Sequence, residues 1–147
     1  MPVIVVGADT GLGAAIVEAL LEPNREIRAF VSDVDQGVRL KALGVKVALG
    51  DVSDPSHVGG ACLNCFSVVF VTEAAEDGRE RAFAANRQAV LKGWAEAALE
   101  ASVTRVIWVD STGDLPETGI AETAVVKPDS VRDVPGEVVR LDDAASL

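Results

Sequence analysis

The first part of the chain contains the feature that most constrains its fold, a short apolar strand that runs through a glycine-rich turn into a helix. Residues 2–6 form the strand pattern, Gly7, Gly11 and Gly13 are the glycines, and an alanine-rich helical pattern follows. Glycine lets a backbone turn tightly and approach a phosphate without a Cβ in the way. The helix points its unpaired N–H groups at the same place. This order of elements predicts a binding site for a dinucleotide pyrophosphate.

Strand and helix patterns alternate along the rest of the chain. The predicted strands are residues 2–6, 27–31, 45–49, 67–72, 104–109 and 124–126, with a short edge strand at Val138–Leu141; the predicted helices are 12–22, 36–43, a third that starts at Asp54-Pro55, and 79–101. Apolar strands that alternate with helices indicate a parallel sheet covered on both faces. Right-handed crossovers then give a doubly wound, three-layer α/β fold of the Rossmann type, with a ligand crevice at the carboxyl ends of the strands.

Composition excludes several classes of function. The chain has 147 residues, which predicts a single domain over residues 1–147. Its net charge of −10 argues against nucleic acid and anionic membrane surfaces as partners. No apolar run approaches the ~20 residues of a membrane span, and the N-terminus enters the first strand without a secretory leader, so we expect a cytoplasmic protein.

Cys62 and Cys65 form a Cys-x-x-Cys pair, which could indicate a redox or metal site. A zinc site needs four ligands, and the single histidine, His57, leaves the set one short. The pair also lies between the end of a predicted helix and the start of a strand, whereas a thioredoxin-type motif lies at the start of a helix that follows a strand. We therefore interpret both cysteines as structural and expect no metal.

Several segments together resemble the short-chain dehydrogenase/reductase superfamily, in its atypical, NmrA-like branch. They are Val-Val-Gly-Ala-Asp-Thr-Gly-Leu-Gly at 5–13, Ile-Arg-Ala-Phe-Val-Ser-Asp at 27–33, Leu-Gly-Asp-Val-Ser-Asp-Pro at 49–55, Val-Val-Phe-Val-Thr at 68–72, Asn86, Arg-Val-Ile-Trp-Val-Asp-Ser at 105–111 and Thr-Ala-Val-Val-Lys-Pro at 123–128. Their order and spacing match the family. The resemblance implies an NAD- or NADP-binding domain.

The resemblance also implies roles for individual residues. The pyrophosphate turn would consist of Gly7, Asp9, Thr10, Gly11, Leu12 and Gly13. Asp51 would face the adenine amino group with the Val52 backbone beside the ring, although Asp51 could instead be only a turn-former. Ser32 stands where the family recognises the adenosine ribose, and the charge of the following Asp33 would repel a 2′-phosphate, which favours NAD over NADP.

Three further polar residues complete the expected site. Thr72 ends the fourth predicted strand. For Asn86 the resemblance implies an inward-facing polar group on the long helix, although a surface position is equally compatible with the sequence. Ser111 matches the family's serine after the fifth strand and is the candidate catalytic hydroxyl, with an ordinary loop start as the alternative.

Departures from the family pattern restrict the chemistry. The chain has no tyrosine, so it cannot use the family's tyrosine–lysine proton transfer. It also ends about where the family's substrate-binding part begins. These departures favour a dinucleotide-binding sensor or regulatory protein without redox turnover. A small flavin or quinone reductase, in which hydride passes directly between stacked rings, is an alternative. A cofactor-free scaffold is another alternative.

The predicted helix 79–101 further suggests a homodimer. Apolar residues such as Phe83, Val90, Leu91 and Trp94 occupy more than one of its faces, and one sheet covers only a single stripe of a helix. We therefore expect a second copy to pair with this helix across a two-fold axis.

Overall fold

The computed structural model describes all 147 residues as an α/β domain. The strands are β1 (Val3–Val6), β2 (Ile27–Val31), β3 (Lys46–Leu49), β4 (Ser67–Val71), β5 (Arg105–Val109) and β6 (Glu122–Val126), and the helices are α1 (Gly11–Leu20), α2 (Val34–Ala42), α3 (Pro55–Cys62), α4 (Arg87–Glu100) and α5 (Val134–Asp143), with a 3-10 turn at Thr72–Ala75. None of the helices combines the length and the apolar character needed to cross a membrane.

The six strands form one parallel sheet in the order β3-β2-β1-β4-β5-β6. Val3 of β1 lies in register with Ile27 of β2 on one side and Ser67 of β4 on the other. The strand order reverses between β1 and β4, which is where a doubly wound sheet opens its ligand crevice. The predicted fold class is therefore confirmed.

The alternation of side chains along β1 divides the core into two layers. Val3 and Val5 face the layer that contains α1, α2 and α5, whereas Ile4 and Val6 face the layer that contains α3 and α4. Each layer contains 19 buried apolar residues, so both faces of the central strands β1 and β4 are covered. This explains why these strands are almost continuously apolar, whereas the edge strands β3 and β6 are partly exposed.

The predicted edge strand Val138–Leu141 is wrong, because these residues belong to α5. Asp133 caps this helix by accepting a hydrogen bond from the Gly136 amide at 3.0 Å. Val134, Val138 and Leu141 then recur at helical spacing and are buried in the α1 layer. The β-branched valines favoured a strand locally, but the cap and the helical period decide the outcome.

The predicted helix 79–101 is too long at its N-terminal end. Asn86 is the N-cap of α4 and accepts a hydrogen bond from the Ala89 amide at 2.9 Å. Before it, Asp77 pairs with both Arg79 and Arg81 and draws the chain into an irregular path. Residues 76–86, here called the β4–α4 segment, therefore lie outside the helix.

Candidate functional site

The glycine turn between β1 and α1 is held together by hydrogen bonds between the Thr10 side chain and the backbone of the turn. The Thr10 hydroxyl donates to the Gly7 carbonyl at 2.9 Å and accepts from the Gly13 amide at 2.9 Å. Gly7 has a φ of +87°, which favours glycine. A Cβ added at Gly13 would lie 2.0 Å from the Gly7 carbonyl oxygen, so this glycine lets α1 pack closely on the turn.

Gly11 differs from the other two glycines of the turn. It is exposed, and a Cβ added there would meet nothing within 4 Å. It is the first residue of α1, so it lies beside the unpaired amides at the helix N-terminus. The open space over Gly11 is thus suited to an anion that approaches the backbone.

Asp9 joins the glycine turn to the end of β2. Its Oδ2 atom accepts hydrogen bonds from the Ser32 amide at 2.8 Å and the Asp33 amide at 3.1 Å, and its Oδ1 atom accepts one from Arg79 Nη1 at 2.9 Å. Arg79 belongs to the β4–α4 segment and also forms a two-pronged pair with Asp77. Arg79 is not among the site residues predicted from the sequence.

Asp51 is tied to its own turn and to the β4–α4 segment. Its Oδ1 atom accepts from the Ser53 amide and hydroxyl, and its Oδ2 atom accepts from the Ala82 amide at 2.7 Å. Burial by itself raises the pKa of this carboxyl, but these hydrogen bonds outweigh burial and lower it. The neighbouring Val52 is buried, and its carbonyl accepts from Trp94 Nε1 at 2.7 Å.

Asp33 follows β2 and is exposed at the rim of the same region. Its Oδ1 atom caps α2 by accepting from the amides of Asp35 and Gln36, so half of the carboxylate is already used. Arg28 points towards Glu26 and the carbonyls near the end of α3, and Arg39 pairs with Glu18. The guanidinium nearest to Ser32 is therefore that of Arg79, with Nη1 3.4 Å from Ser32 Oγ.

These residues enclose the principal cleft, at the carboxyl ends of β1, β2 and β3. It has a volume of about 550 Å³ and is lined by Asp9, Ser32, Asp33, Gly50, Asp51, Asp77, Arg79 and Glu80. No hydrophobic side chain lines it. Five carboxylates face a single guanidinium, which makes the cleft strongly acidic.

A second polar cluster lies at the ends of β4 and β5. Asp110 Oδ1 accepts from the Thr72 hydroxyl at 2.7 Å and from Arg87 Nη2 at 2.6 Å, and its Oδ2 atom accepts from the Gly113 amide at 2.7 Å. Burial acts to raise the pKa of this carboxyl, but the hydrogen bonds prevail and lower it. Ser111 is exposed beside this cluster, and its hydroxyl forms no hydrogen bond. A carboxylate held ionised in this way is a poor proton donor.

The cysteines lie away from both clusters, at the other end of α3. Both are free and buried, and burial raises the pKa of the Cys62 thiol to about 12. His57 does not join them, because its ring packs edge-on against Phe30 with centroids 5.1 Å apart.

The predicted site residues divide into two groups. Of the predicted turn residues only Asp9 lines the cleft, together with Ser32, Asp33 and Asp51. Leu12 is half-buried and packs against the α1 layer of the core. Thr72 and Ser111 lie at the second cluster, and Asn86 is an exposed helix cap rather than an inward-facing group. A sequence signal for Arg79 did exist, since Asp77-Gly78-Arg79 follows a strand at the ligand edge, but the apolar spacing after it favoured a helix.

Comparison with known proteins supports a cofactor-binding domain. The model of a family described as NAD(P)H-binding matches residues 7–133. A search of curated protein sequences found no match. This family match bears out the NAD(P)-binding domain that the sequence resemblance implies, and many solved structures share the fold.

Three of these structures differ in how much of their own length the shared fold covers. ChuY, an anaerobillin reductase of Escherichia coli O157:H7, is 20% identical with a TM-score of 0.72, and the match covers 99% of this chain and 92% of ChuY. A Citrobacter sp. triphenylmethane reductase in complex with NADP(H) is 21% identical (TM-score 0.63; 76% of this chain and 38% of that one). An E. coli NADPH-dependent quinone oxidoreductase is 22% identical (TM-score 0.62; 74% and 36%). The chain thus spans about two fifths of two of these relatives and nearly all of the third.

Proposed function

The chain belongs to the NAD(P)H-binding family, and from that premise we propose that residues 1–147 act as one domain that holds a nicotinamide dinucleotide across the carboxyl edge of the sheet. The observation that carries the proposal is the open space over Gly11 beside the unpaired amides of α1. The pyrophosphate would lie on the turn from Thr10 to Gly13, where amides and the helix dipole favour an anion. The adenosine would extend into the cleft of about 550 Å³.

The charge of the cleft favours NAD(H) over NADP(H) in this proposal. A ribose 2′-phosphate carries a charge of about −1.5 to −2, and it would enter a cleft where five carboxylates face one arginine. The free oxygen of Asp33 is suited to accept hydrogen bonds from ribose hydroxyls instead.

We further propose that the protein is a sensor or regulatory subunit rather than a carbonyl reductase. The nicotinamide would extend towards Thr72 and Ser111, where Asp110 is held ionised by its hydrogen bonds. Ser111 is the one free hydroxyl near that end, and a serine without a partner base is a weak acid. The β4–α4 segment touches the adenosine cleft through Arg79 and Ala82, so binding there would be communicated to α4.

A second candidate function is direct hydride transfer from NAD(P)H to a flat conjugated acceptor. The observation that favours it is the match to nearly the full length of ChuY, because it indicates that a chain of this size can serve as a reductase domain. Such a transfer needs no acid from the protein when water supplies the proton.

The test of dinucleotide binding is a fluorescence titration with NADH and two glycine variants. Gly11→Val places a branched side chain in the proposed pyrophosphate site and should weaken NADH binding at least a hundredfold. Gly60→Val is the matched control, since Gly60 is also an exposed helix residue whose added Cβ meets nothing within 4 Å, and it should bind like the parent. Equal affinity of the parent and Gly11→Val would place the site elsewhere.

Turnover assays separate the two candidate functions. The parent protein with NADH and either FMN or a quinone is followed at the nicotinamide absorbance band. Binding without oxidation supports the sensor, whereas oxidation that is lost in Gly11→Val supports the reductase.

We also propose that the protein forms a homodimer through α4, although fewer apolar residues are available for the contact than the sequence predicts. Val90, Leu91 and Trp94 are buried within the chain itself, and Phe83 lies outside the helix. The surface left for a second copy is the exposed side that includes Ala89 and Leu99. Light scattering at micromolar concentration should give about twice the 15.3 kDa chain mass, and a value equal to one chain would refute the dimer.

A further inference from the structure

The β4–α4 segment places an arginine beside the region proposed for the adenosine ribose. Arg79 Nη1 lies 2.9 Å from Asp9 Oδ1 and 3.4 Å from Ser32 Oγ. The Nε and Nη2 atoms of Arg79 each lie 2.8 Å from an oxygen of Asp77. One guanidinium is thus held between two carboxylates, with Nη1 as its nitrogen nearest to Ser32.

The pair between Asp9 and Arg79 is shielded from water. The Asp9 side chain is 3% exposed and that of Arg79 is 13% exposed, so salt and solvent screen their attraction only weakly. Asp9 also accepts the Ser32 and Asp33 amides, which fixes its carboxylate in place. The guanidinium cannot turn towards another anion without leaving a buried carboxylate unpaired.

We propose that Asp9, by holding Arg79, makes this site select NAD(H) over NADP(H). The inference rests on the proposed dinucleotide function and names the residue that sets its cofactor specificity. A guanidinium is the side chain best shaped to bind a phosphate with two hydrogen bonds, and Arg79 is adjacent to the ribose position. The carboxylate of Asp9 occupies the nitrogen that a 2′-phosphate would need. Without that carboxylate, Arg79 becomes a ligand for the 2′-phosphate.

The test compares NADH with NADPH, and ADP with adenosine 2′,5′-bisphosphate, by isothermal titration calorimetry. Asp9→Asn keeps an oxygen for the Ser32 and Asp33 amides and turns an NH₂ group towards Arg79. We expect it to shift the ratio of dissociation constants towards the 2′-phosphorylated ligands by roughly tenfold or more. Adding Arg79→Gln to this variant should remove the shift, because the two residues act as one unit.

Glu80→Gln is the matched control. Glu80 lines the same cleft and is exposed, and its side chain forms no hydrogen bond or ion pair with Asp9 or Arg79, so this variant makes the same change in charge without releasing the arginine. We expect its ratio to stay within about threefold of the parent. An equal shift in Glu80→Gln would mean that the overall charge of the cleft, and not the pair, sets specificity.

The remaining outcomes are equally decisive. An unchanged ratio in Asp9→Asn, or a shift that persists after Arg79→Gln is added, overturns the inference while NADH binding stands. If Asp9→Asn does not fold, Asp9→Ser also removes the carboxylate from Arg79 Nη1 and should shift the ratio in the same direction; no shift there overturns the inference. A parent protein that binds neither ADP nor NADH at millimolar concentration overturns the dinucleotide function itself.

Discussion

Two glycines of the same turn should respond in opposite ways to substitution by alanine. A Cβ at Gly13 would lie 2.0 Å from the Gly7 carbonyl oxygen and 2.8 Å from Thr10 Oγ1, whereas an ordinary carbon–oxygen contact is about 3.3 Å or longer. α1 must therefore move by about 1 Å, which disrupts the cap formed by Thr10. Overpacking costs about 1–3 kcal/mol and loss of a cap about 1 kcal/mol, of which the better helix propensity of alanine offsets up to about 1 kcal/mol.

We therefore expect Gly13→Ala to lower the free energy of unfolding by about 1–4 kcal/mol. Gly11→Ala adds a Cβ that meets nothing within 4 Å, so its stability should match or exceed that of the parent by up to about 1 kcal/mol. Urea unfolding, followed by the fluorescence of the buried Trp94 and Trp108, measures both changes. A Gly13→Ala protein within about 0.5 kcal/mol of the parent, or an equal loss in Gly11→Ala, would refute this packing argument.

Three further predictions concern titrating or reactive groups. Asp110→Asn should destabilise the fold by about 2–4 kcal/mol at pH 7, because Arg87 loses its buried partner. The pKa of Asp110 is lower in the folded than in the unfolded state. Its contribution to stability is therefore complete above about pH 5 and is lost as pH falls through the folded pKa. A stability difference between parent and variant that stays constant down to pH 2 would contradict this. Cys62 should resist a thiol reagent at pH 8, because a pKa of about 12 leaves only about one part in 10⁴ of this thiol as thiolate. If Cys62 is labelled as fast in the native protein as in urea, its thiol is not buried. Aldehydes and ketones should be reduced near background with either cofactor, since a positioned proton donor is worth roughly 10²–10⁴-fold in rate; robust turnover that Ser111→Ala abolishes would disprove this.

Local patterns were sufficient for the sheet and the glycine turn. The apolar strands, the glycines and the Asp54 cap of α3 each depend on a few adjacent residues, so their signals survive in the sequence. The start of α4 is different, because helical spacing continues upstream through Phe83, a residue that is 65% exposed in the structure. The ion pairs of Asp77 with Arg79 and Arg81 hold this segment outside the helix despite that spacing. Ion pairs leave no periodic pattern in the sequence, so the helix start could not be predicted from it.

The composition of the candidate site was only partly predictable for a related reason. Asp9 and Arg79 are 70 positions apart and meet only because β4 lies beside β1. The sequence leaves Asp51 as either an adenine ligand or a turn-former, and in the structure its two oxygens accept hydrogen bonds from Ser53 and Ala82. The edge of the sheet could be inferred from topology, whereas the ion pairs across that edge required the coordinates.

The most direct measurement of the central claim is a two-dimensional NMR titration of the isotopically labelled protein with NADH. A pyrophosphate on the glycine turn should cause the largest amide shifts at Gly11 and Leu12, because their N–H groups, unlike those of Thr10 and Gly13, have no partner within the turn and would donate to it. Smaller shifts should follow at Ser32 and Asp51, which border the cleft. Absence of shifts at millimolar NADH, or shifts that cluster away from the turn, would contradict the proposed site.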